Sequence, residues 1–404
     1  LFLYRRECMR AETGRAEGKD GSQAARVREC GLKLRETAPG LIAWFTENAR
    51  NFPWREDRTP YKVLVSETML QQTRIEAVLK YYERFMEAFP TLTALAEASE
   101  DAVLKQWEGL GYYSRERNLK RGAEICAARY GGELPETYEK LRRLPGLGNY
   151  SAGAVASLCF DEPVPAVDGN VLRVLARYFG DKRDVRLPEV RKEAEAIIRE
   201  VLGHHSSASP EPSPEGKAEP HSSRLCLGAF SVMPSLFNEA LMELGETLCA
   251  PKGRPQCEGC PLGPLCAARE AGMQELLPVR SKNKDRMPED KTVWVFICGG
   301  KVGIEKRGQG LLRGMYGFPV TEGRLESVEE AQAALDGRKI AAAEIRALGS
   351  AKHVFTHREW MMTGWLVRTD APLPGLAFVT PEELDRDFAL PSAFRPYRER
   401  IYPL

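Results

Sequence analysis

The stretch that most constrains the fold of this chain is residues 144–177, which read LPGLGNYSAGAVASLCFDEPVPAVDGNVLRVLAR. It places Gly146 and Gly148 in a tight turn between two helical patterns, at residues 136–143 and 150–160. Two glycines let the backbone approach another molecule closely, and the following helix contributes the positive end of its dipole. Such a turn often only reverses the chain, but it can also bind a phosphate through main-chain N–H groups.

A carboxylate follows one helix later. Asp168, in the sequence Val167-Asp168-Gly169-Asn170, precedes a third helical pattern at residues 169–179. Asp is a common N-cap residue, so a purely structural role is the simplest interpretation. The order of glycine hairpin, helix and capping Asp nevertheless resembles the helix-hairpin-helix, Gly/Pro, Asp signature of DNA glycosylases of the endonuclease III superfamily.

The composition is that of an ordinary globular protein. The chain has 404 residues, enough for two or three domains, with 43% hydrophobic and 28% charged residues. Its formal net charge is only +1, so any DNA-binding charge must be local. The sequence contains no apolar run long enough to cross a bilayer and no apolar core of a secretory signal. Ten cysteines without an export signal favour a reducing compartment.

Helical periodicity dominates residues 41–201, and strand patterns appear only after residue 291. We therefore predict a mainly α domain over residues 36–277 and an α+β domain over residues 292–404. Helices are predicted to begin at Pro60 and to occupy residues 73–89, 100–107, 114–129, 136–143, 150–160, 169–179, 188–202, 235–248 and 326–335. Strands are predicted at residues 293–297, 302–306, 345–355 and 360–367.

Three segments lack the pattern of a folded element. Residues 1–35 are rich in Arg, Glu and Gly, and we predict that they form a mobile tail. Residues 204–224 are rich in Ser, Pro and Glu and are predicted to be a disordered insertion, whose histidines have nothing to hold them around a metal. Residues 278–291 are predicted to be a charged linker.

Four cysteines lie within eighteen residues after the last predicted helix of the α domain, in the spacing C-x7-C-x2-C-x5-C. They are Cys249, Cys257, Cys260 and Cys266. Four thiolates suit either a tetrahedral zinc ion or a [4Fe–4S] cluster, although zinc sites tend to use two C-x2-C pairs. The spacing is similar to the C-x6-C-x2-C-x5-C cluster loop of endonuclease III-type glycosylases. That resemblance implies a structural [4Fe–4S] cluster, with Lys252 and Arg254 presented to phosphates.

Cutting a base from deoxyribose requires an extruded base, a proton donor for that base and an anion beside the oxocarbenium-like sugar. Asp168 is one candidate carboxylate, and Glu67, within the sequence SETMLQQ at residues 66–72, is the other. A Glu on a helix usually faces solvent, but Glu67 stands among apolar residues. Burial there would raise its pKa and keep it protonated near neutral pH, as a general acid requires.

A series of motifs extends the resemblance to nearly all of residues 41–270. In chain order they read WREDRTPYKVLVSETMLQQT, WEGLGYYSRERNL, LPGLGNYSAGAVAS, VDGNVLRVLAR and FNEALMELGETLC, followed by the cysteine loop. This is the order seen in adenine DNA glycosylases of the MutY family. The resemblance implies removal of adenine mispaired with 8-oxoguanine or guanine in double-stranded DNA, the first step of base excision repair.

The same resemblance implies roles for individual residues. Glu67 would protonate adenine at N7 and then help water to add, and Asp168 would stabilise the cationic sugar, also as a transient covalent partner. The supporting residues would be Tyr150 and Asn170. The adenine pocket would contain Trp54, Arg55 and Glu239. The contacts to duplex DNA would come from Gln72, Tyr112, Gly146 and Gly148. Considered singly, three of these residues have a simpler structural interpretation. Trp54 could be a buried Trp, Tyr112 a core Tyr and Gln72 a Gln on a helix surface.

Tyr150 separates two kinds of chemistry. Relatives that also cut the strand carry a Lys at this position, which attacks the sugar as an amine, and Tyr cannot form that Schiff base. We therefore expect a monofunctional glycosylase, a hydrolase acting on an N-glycosyl bond. The alternatives are an endonuclease III-like pyrimidine glycosylase/lyase and a mismatch-binding protein with an inactive site.

Residues 292–404 resemble the Nudix-like C-terminal domain of the same family. The sequence ESVEEAQAALDG at residues 326–337 does not reproduce the acidic motif that binds Mg²⁺ in Nudix enzymes, so we expect a binding domain without hydrolase activity. The sequence AKHVFTH at residues 351–357 is similar to the loop that recognises 8-oxoguanine. This assigns recognition to Phe355, Thr356 and His357, with Thr356 in place of the usual Ser. Ordinary strand residues are the alternative interpretation.

The predicted fold is a mainly α helix-hairpin-helix glycosylase domain with an iron–sulfur cluster loop, followed by an α+β Nudix-like domain. We expect a monomer that has no membrane partner. In a bacterium it would be cytoplasmic and associated with the nucleoid. In a eukaryote it would be nuclear or mitochondrial.

Overall fold

The computed structural model describes residues 19–203, 231–281 and 285–401. The helices before the first strand are α1 (Lys19–Asn48), α2 (Pro53–Glu56), α3 (Pro60–Leu70), α4 (Ile75–Ala88), α5 (Leu92–Glu97), α6 (Glu100–Trp107), α7 (Ser114–Arg129), α8 (Tyr138–Leu141), α9 (Asn149–Phe160), α10 (Gly169–Phe179), α11 (Pro188–Gly203), α12 (Pro234–Glu246) and α13 (Ala267–Glu270). The elements that follow are β1 (Met287–Cys298), β2 (Lys301–Lys306), β3 (Tyr316–Gly317), β4 (Val320–Glu322), α14 (Val328–Asp336), β5 (Glu344–Val354), β6 (Arg358–Arg368), β7 (Ala377–Val379), α15 (Pro381–Asp387) and α16 (Arg395–Arg398).

The chain divides into two compact units. The first comprises the described parts of Leu1–Val63, Glu136–Arg143 and Leu147–Ser281. The second comprises the described parts of Leu64–Pro135, Leu144–Gly146 and Lys282–Leu404. This division differs from the predicted domains because α4 to α7 belong with the C-terminal residues, where α6 packs against α15. None of the described helices combines the length and the apolar composition that a bilayer crossing needs.

The first unit is helical, and its core lies between α1, α10, α11 and α12. On α1 the buried residues recur every three or four positions, which is the spacing of one helix face. They are Leu34, Ala38, Leu41 and Phe45. The facing side chains of α12 include Phe237 and Leu241, neither of which is exposed. This packing fixes the start of α10, where Asp168 lies.

The prediction of a mobile tail is wrong for residues 19–35, which belong to α1. Arg26 donates a hydrogen bond to Glu193 of α11 at 2.8 Å. Gly31 approaches the same helix so closely that a Cβ would lie 2.7 Å from Cγ of Glu200. A charged contact and a close helix approach therefore help to hold this segment, together with three side chains that pack on the core at helical spacing, namely Val27, Cys30 and Leu34.

The predicted linker at residues 278–291 is wrong in its last part, because β1 begins at Met287. Residues 287–291 read MPEDK, and their polar composition concealed a strand that pairs in parallel with β6. Two predicted segments lie outside the described residues, namely residues 1–18 of the tail and the insertion at residues 204–224.

The helices of the second unit pack around Trp107, which is fully buried and meets Phe85 edge to face at 5.8 Å. Helix α5 packs on α7, and α6 packs on both α4 and α7. The α6 region also binds the C-terminal part of the unit. Nζ of Lys105 donates to the carbonyl oxygen of Phe388 at 3.0 Å, and Glu108 accepts from the amide of Leu390 at 2.9 Å.

The sheet of the second unit has the strand order β3-β2-β1-β6-β5, with β4 paired to β1 and β7 paired to β2. Strands β1 and β6 are parallel, and the other pairs are antiparallel. Side chains alternate along β1, as the pleat requires. Val293, Val295 and Ile297 enter one core, whereas Trp294 and Phe296 enter the core on the opposite face.

Gly153 of α9 offers a test of the packing that leads to Asp168. A Cβ at Gly153 would lie 2.2 Å from the carbonyl oxygen of Pro165, a main-chain atom that has little freedom to move. We expect Gly153→Ala to destabilise the protein by about 1–3 kcal/mol in urea unfolding. The matched control is Gly122→Ala in α7, where a Cβ meets no heavy atom within 4 Å. It should stabilise the protein by about 0.5–1 kcal/mol. Equal midpoints for both variants would contradict the close approach.

Glu116 of α7 predicts a pH dependence of stability. It is 1% exposed, and its Oε2 atom has no hydrogen-bond partner in the described part of the chain. Burial raises its pKa to about 8; Arg117 and Lys120 oppose this shift, and Glu100 adds to it. Because folding raises this pKa, the contribution of Glu116 to the free energy of unfolding is complete at pH values below the pKa of an unfolded Glu. It is lost as the pH rises through about 8.

Glu116→Gln should therefore be more stable than the parent at pH values above about 8, by on the order of 2–4 kcal/mol. The advantage should shrink steadily as the pH falls toward the value at which an unfolded carboxyl is protonated. Urea unfolding across this range measures it. Parallel pH profiles for the two proteins would contradict the prediction.

Candidate functional site

Asp168 is the N-cap of α10, as its sequence context predicts. Its Oδ1 atom accepts hydrogen bonds from the amides of Asn170 at 2.8 Å and Val171 at 2.7 Å. The Asp168 residue as a whole is partly exposed, and these two bonds hold its carboxylate rigidly. Surrounding protein atoms raise its pKa by desolvation, whereas the two amides and the charge of Arg173 act in the opposite direction.

A hydrogen-bond network extends from Asp168 toward the cysteine loop. Nδ2 of Asn170 donates to Oδ2 of Asp168 at 2.9 Å and to Glu246 at 2.5 Å. Arg173 donates to Oδ1 of Asn170 at 2.7 Å, which fixes the orientation of the amide. The same guanidinium donates to the carbonyl oxygens of Gly245 at 2.7 Å and Cys249 at 2.9 Å. Arg173 therefore links the candidate carboxylate to the first cysteine of the loop.

Arg55 and Glu239 meet in the first unit. Nε of Arg55 donates to Glu239 at 2.7 Å, and Arg58 donates to the same carboxylate at 2.7 Å. Trp54 is 7% exposed and stacks on Phe52 with ring centroids 5.0 Å apart. The guanidinium of Arg55 lies over that Phe52 ring, 5.1 Å from its centroid. The three predicted pocket residues are thus neighbours.

Sequence reasoning missed Arg50, Arg58 and Glu243, which complete this charge cluster. Arg50 and Arg55 bind Glu243 at 2.5 Å and 3.0 Å. Burial by itself would raise the pKa of Glu243, but its bonds and charge interactions with the two arginines outweigh burial and lower it. A usable signal was present, because acids at positions 239, 243 and 246 recur with the helix period in an otherwise apolar segment.

Tyr150 and Gly148 lie at the N-terminus of α9. Gly148 is the N-cap residue of α9, and no side chain caps the helix there among the described residues. A Cβ at Gly148 would meet no atom within 4 Å, so there is room for another molecule to approach this N-cap. The main-chain amides at the positive end of a helix form a typical anion site. The hydroxyl of Tyr150 lies 3.8 Å from Sδ of Met242.

Gly146 belongs to the second unit and has a positive φ of 80°. A Cβ there would lie 2.7 Å from Cβ of Asn118, so this turn needs glycine for two reasons. Glu67 also belongs to the second unit, and it is 7% exposed within α3 between the buried Ser66 and Thr68. The burial that a general acid requires is therefore present. The pairing of Glu67 with Asp168 stays a prediction.

Gln72 and Tyr112 share an unusual backbone conformation. Gln72 follows the last turn of α3 with φ of 59°, and Tyr112 precedes α7 with φ of 48°. Both side chains are exposed, Tyr112 by 44%. Residues other than glycine rarely adopt this region, and such residues concentrate at functional sites.

Phe355, Thr356 and His357 connect β5 to β6. The amide of Phe355 donates to the carbonyl oxygen of Arg358 at 2.8 Å, which closes the turn. Thr356 and His357 are exposed at its tip, whereas the Phe355 ring contacts Trp360 at 5.0 Å and His353 at 4.6 Å. Burial lowers the pKa of His353, which favours its neutral form. The predicted recognition residues thus lie at one accessible hairpin tip.

The four cysteines of the loop line one small cavity, together with Arg177 and Arg269. All four are free thiols, as a metal-binding loop requires. The described residues contain no group of three or more His, Cys, Asp or Glu side chains close enough to hold a metal ion. The shared cavity and the four sulfur donors fit an iron–sulfur cluster in chemistry, although the thiols do not form a closed ligand set. Nη1 of Arg177 donates to Sγ of Cys249 at 3.3 Å.

Comparison with known proteins agrees with both halves of the fold. The model described as HhH-GPD superfamily base excision DNA repair protein matches residues 65–200, and a NUDIX domain model matches residues 292–400. The adenine DNA glycosylase of Homo sapiens is 30% identical over 427 residues, covering 89% of this chain and 73% of the human protein. That of Rattus norvegicus is 38% identical over 239 residues, covering 57% and 41%. That of Buchnera aphidicola subsp. Schizaphis graminum is 28% identical, covering 72% and 76%.

These matches confirm the predicted fold class, a helix-hairpin-helix glycosylase part followed by a Nudix-like part. They also confirm the predicted enzyme class, a DNA repair glycosylase that acts on N-glycosyl bonds. The motifs around Glu67, Gln72 and Asp168 fall inside the matched helix-hairpin-helix residues. With the human relative matched over most of its length, the chain belongs to the adenine DNA glycosylase family.

Proposed function

We propose that this protein is a monofunctional glycosylase that removes adenine paired with 8-oxoguanine or guanine in duplex DNA. The observation that carries the proposal is the carboxylate of Asp168, which two main-chain amides and Asn170 hold in a desolvated position. A poorly solvated anion that is already oriented stabilises a developing cation much better than one that water must first release. The oxocarbenium-like sugar of a glycosidic cleavage is such a cation.

Glu67 supplies the proton in this mechanism. Adenine leaves as a neutral base only if N7 is protonated as the bond to the sugar breaks. Glu67 is 7% exposed, so it would be shielded from bulk water in this role. After the base has left, the Glu67 carboxylate accepts a proton from the attacking water. Tyr150 and Asn170 support the two acids.

The cluster around Glu239 suits an adenine pocket. The carboxylate can accept a hydrogen bond from the exocyclic amine of adenine, and the Arg55 guanidinium can donate to a ring nitrogen. Trp54 adds an aromatic wall to the same cluster. These contacts would hold the base only after it has been extruded from the stack.

The DNA backbone would lie against the hairpin of Gly146 and Gly148, with its phosphates at the N-terminus of α9, which no side chain caps among the described residues. Gln72 and Tyr112 would enter the duplex beside the extruded nucleotide. At the β5–β6 turn, the residues Phe355, Thr356 and His357 would read 8-oxoguanine. The protein would act as a monomer.

The four loop cysteines would hold a [4Fe–4S] cluster, which supplies a rigid covalent anchor for the loop rather than a step in the reaction. Lys252 and Arg254 are exposed beside the first ligand, where they can contact phosphates. Arg173 and Arg177, both buried, bind the carbonyl oxygen of Cys249 and connect the loop to α10.

The first test is excision from a duplex with adenine opposite 8-oxoguanine, with enzyme in excess. Strand breaks that appear only after alkali treatment support the proposal. Breaks without alkali support a pyrimidine glycosylase/lyase-like activity, and binding without breaks supports an inactive mismatch-binding protein. Glu67→Gln should reduce excision by about 100-fold or more, because it removes the proton donor. Its affinity for the duplex should stay within about tenfold of the parent value.

A second test separates the two roles of Asp168. Asn is as good an N-cap as Asp, so Asp168→Asn should keep the unfolding free energy within about 1 kcal/mol of the parent. It should still lose excision by about 100-fold or more, because the anion is gone. The control is Ser99→Ala at the N-cap of α6, which should lose about 1 kcal/mol and keep its activity. Full activity of Asp168→Asn would mean that Asp168 is only a cap.

A further inference from the structure

Two exposed residues of the second unit hold a backbone conformation that is unfavourable for L-residues with a side chain. Gln72 has φ of 59°, and Tyr112 has φ of 48°. They lie 40 residues apart in the chain, at the end of α3 and at the start of α7. A conformation of this kind persists only where the surrounding structure imposes it. Some group must therefore hold both loops.

Arg115, in the first turn of α7, is that group. Its side chain is 7% exposed and donates to main-chain oxygens on both loops. Toward the end of α3 it binds the carbonyl oxygens of Thr68 at 3.0 Å, Met69 at 2.7 Å and also Gln71. On the other side it binds the carbonyl oxygens of Gly111 at 3.1 Å and Tyr112 at 3.4 Å.

Side-chain contacts add to this arrangement. Nη2 of Arg115 donates to the hydroxyl of Thr73, the residue after Gln72, at 3.2 Å. The guanidinium lies near two aromatic rings, 5.4 Å from the centroid of Trp107 and 5.3 Å from that of Tyr112. Arg115 thus contacts the Tyr112 ring directly and touches both neighbours of Gln72.

The chemistry explains why this position needs arginine. The last carbonyl groups of a helix have no partner within the helix, and α3 ends at Leu70. A guanidinium has five donors in a fixed plane, which can serve two separate chain segments at once. An ammonium group presents three donors at one point and cannot span the two loops. Lysine at this position would therefore keep the charge and lose the bridge.

We propose that Arg115 is a positioning residue that fixes the Gln72 and Tyr112 loops as one preformed wedge for insertion into DNA. The inference rests on the proposed function for its DNA partner, a duplex with an extruded nucleotide. A preformed wedge does not have to be ordered when it binds, so it strengthens binding to an opened site. The wedge contributes nothing to the binding of a duplex without a lesion, because that binding uses contacts along the DNA backbone.

Binding isolates this effect from catalysis. The probes are a duplex with an abasic-site analogue opposite 8-oxoguanine and the same duplex without a lesion, both measured by fluorescence anisotropy. Arg115→Lys should lower the ratio of the two affinities by about tenfold and leave the affinity for the unmodified duplex unchanged. The matched control is Lys120→Met, which removes another buried cation of α7 whose Nζ binds the carbonyl oxygen of Ala96 at 2.6 Å. It should leave the ratio unchanged.

A double-mutant cycle tests whether Arg115 acts through the two loops. In a Gln72→Ala, Tyr112→Ala background, Arg115→Lys should change the ratio by less than about twofold, because the wedge is already absent. An undiminished tenfold effect in that background would overturn the proposal. So would an unchanged ratio for Arg115→Lys in the parent protein. If the parent itself does not prefer the lesion duplex, the proposed function fails. This outcome can be distinguished from the two results that would overturn only the role of Arg115.

Stability provides a readout that needs no DNA. Glycine accepts a positive φ without strain, so Gln72→Gly with Tyr112→Gly should raise Tm. Arg115→Lys should lower Tm in the parent by more than it does in this glycine background. If Arg115→Lys does not fold, the glycine pair should restore folding. An equal loss of Tm in both backgrounds, or failure of the glycine pair to restore folding, would show that Arg115 only supports the core.

Discussion

Buried guanidinium groups bound to main-chain carbonyl oxygens hold the loops on which the candidate site depends. Arg115, Arg173 and Arg177 are exposed by only 7%, 3% and 5%. Arg177 binds the carbonyl oxygens of Cys249, Ala250 and Leu277, and so closes both ends of the cysteine loop. A buried cation is tolerated only if its donors are satisfied, and here carbonyl groups of helix ends and of the adjoining loops satisfy them. Each loop conformation therefore depends on its arginine.

The same principle operates with carboxylates where the chain must present negative charge. Asp168 is held by amides at the N-terminus of α10, whose fixed dipoles offset part of the cost of burying its charge. Glu239 and Glu243 are instead neutralised by arginines from the segment around α2. Asp168 is held by amides, whereas the other two acids are paired with arginines. This difference in partners, rather than residue type, distinguishes the proposed reactive carboxylate from the carboxylates of the proposed adenine pocket.

Local sequence signals predicted most of the elements but not the contacts that stabilise them. The predicted helix at residues 114–129 is α7 (Ser114–Arg129), and the predicted helix at residues 169–179 is α10 (Gly169–Phe179). Helix α5 (Leu92–Glu97) was missed because it is too short to show a period. The first turns of α1 were missed because charged residues surround their few core-packing positions, and because Arg26 and Gly31 contact a distant helix. Strand β1 was predicted too short because its first residues are charged.

The sequence by itself determined the family, the two candidate acids, the cysteine loop and the order of helices and strands. These depend on motifs and on periodicity, which are properties of neighbouring residues. Only the tertiary structure decided which arginine meets which carboxylate, that Arg58 and Glu243 join the pocket cluster, and that one guanidinium spans two loops 40 residues apart. Such contacts join residues that are distant in the chain, and their geometry is set by helix packing. An arginine that will be buried and an arginine that will face solvent look the same in a sequence.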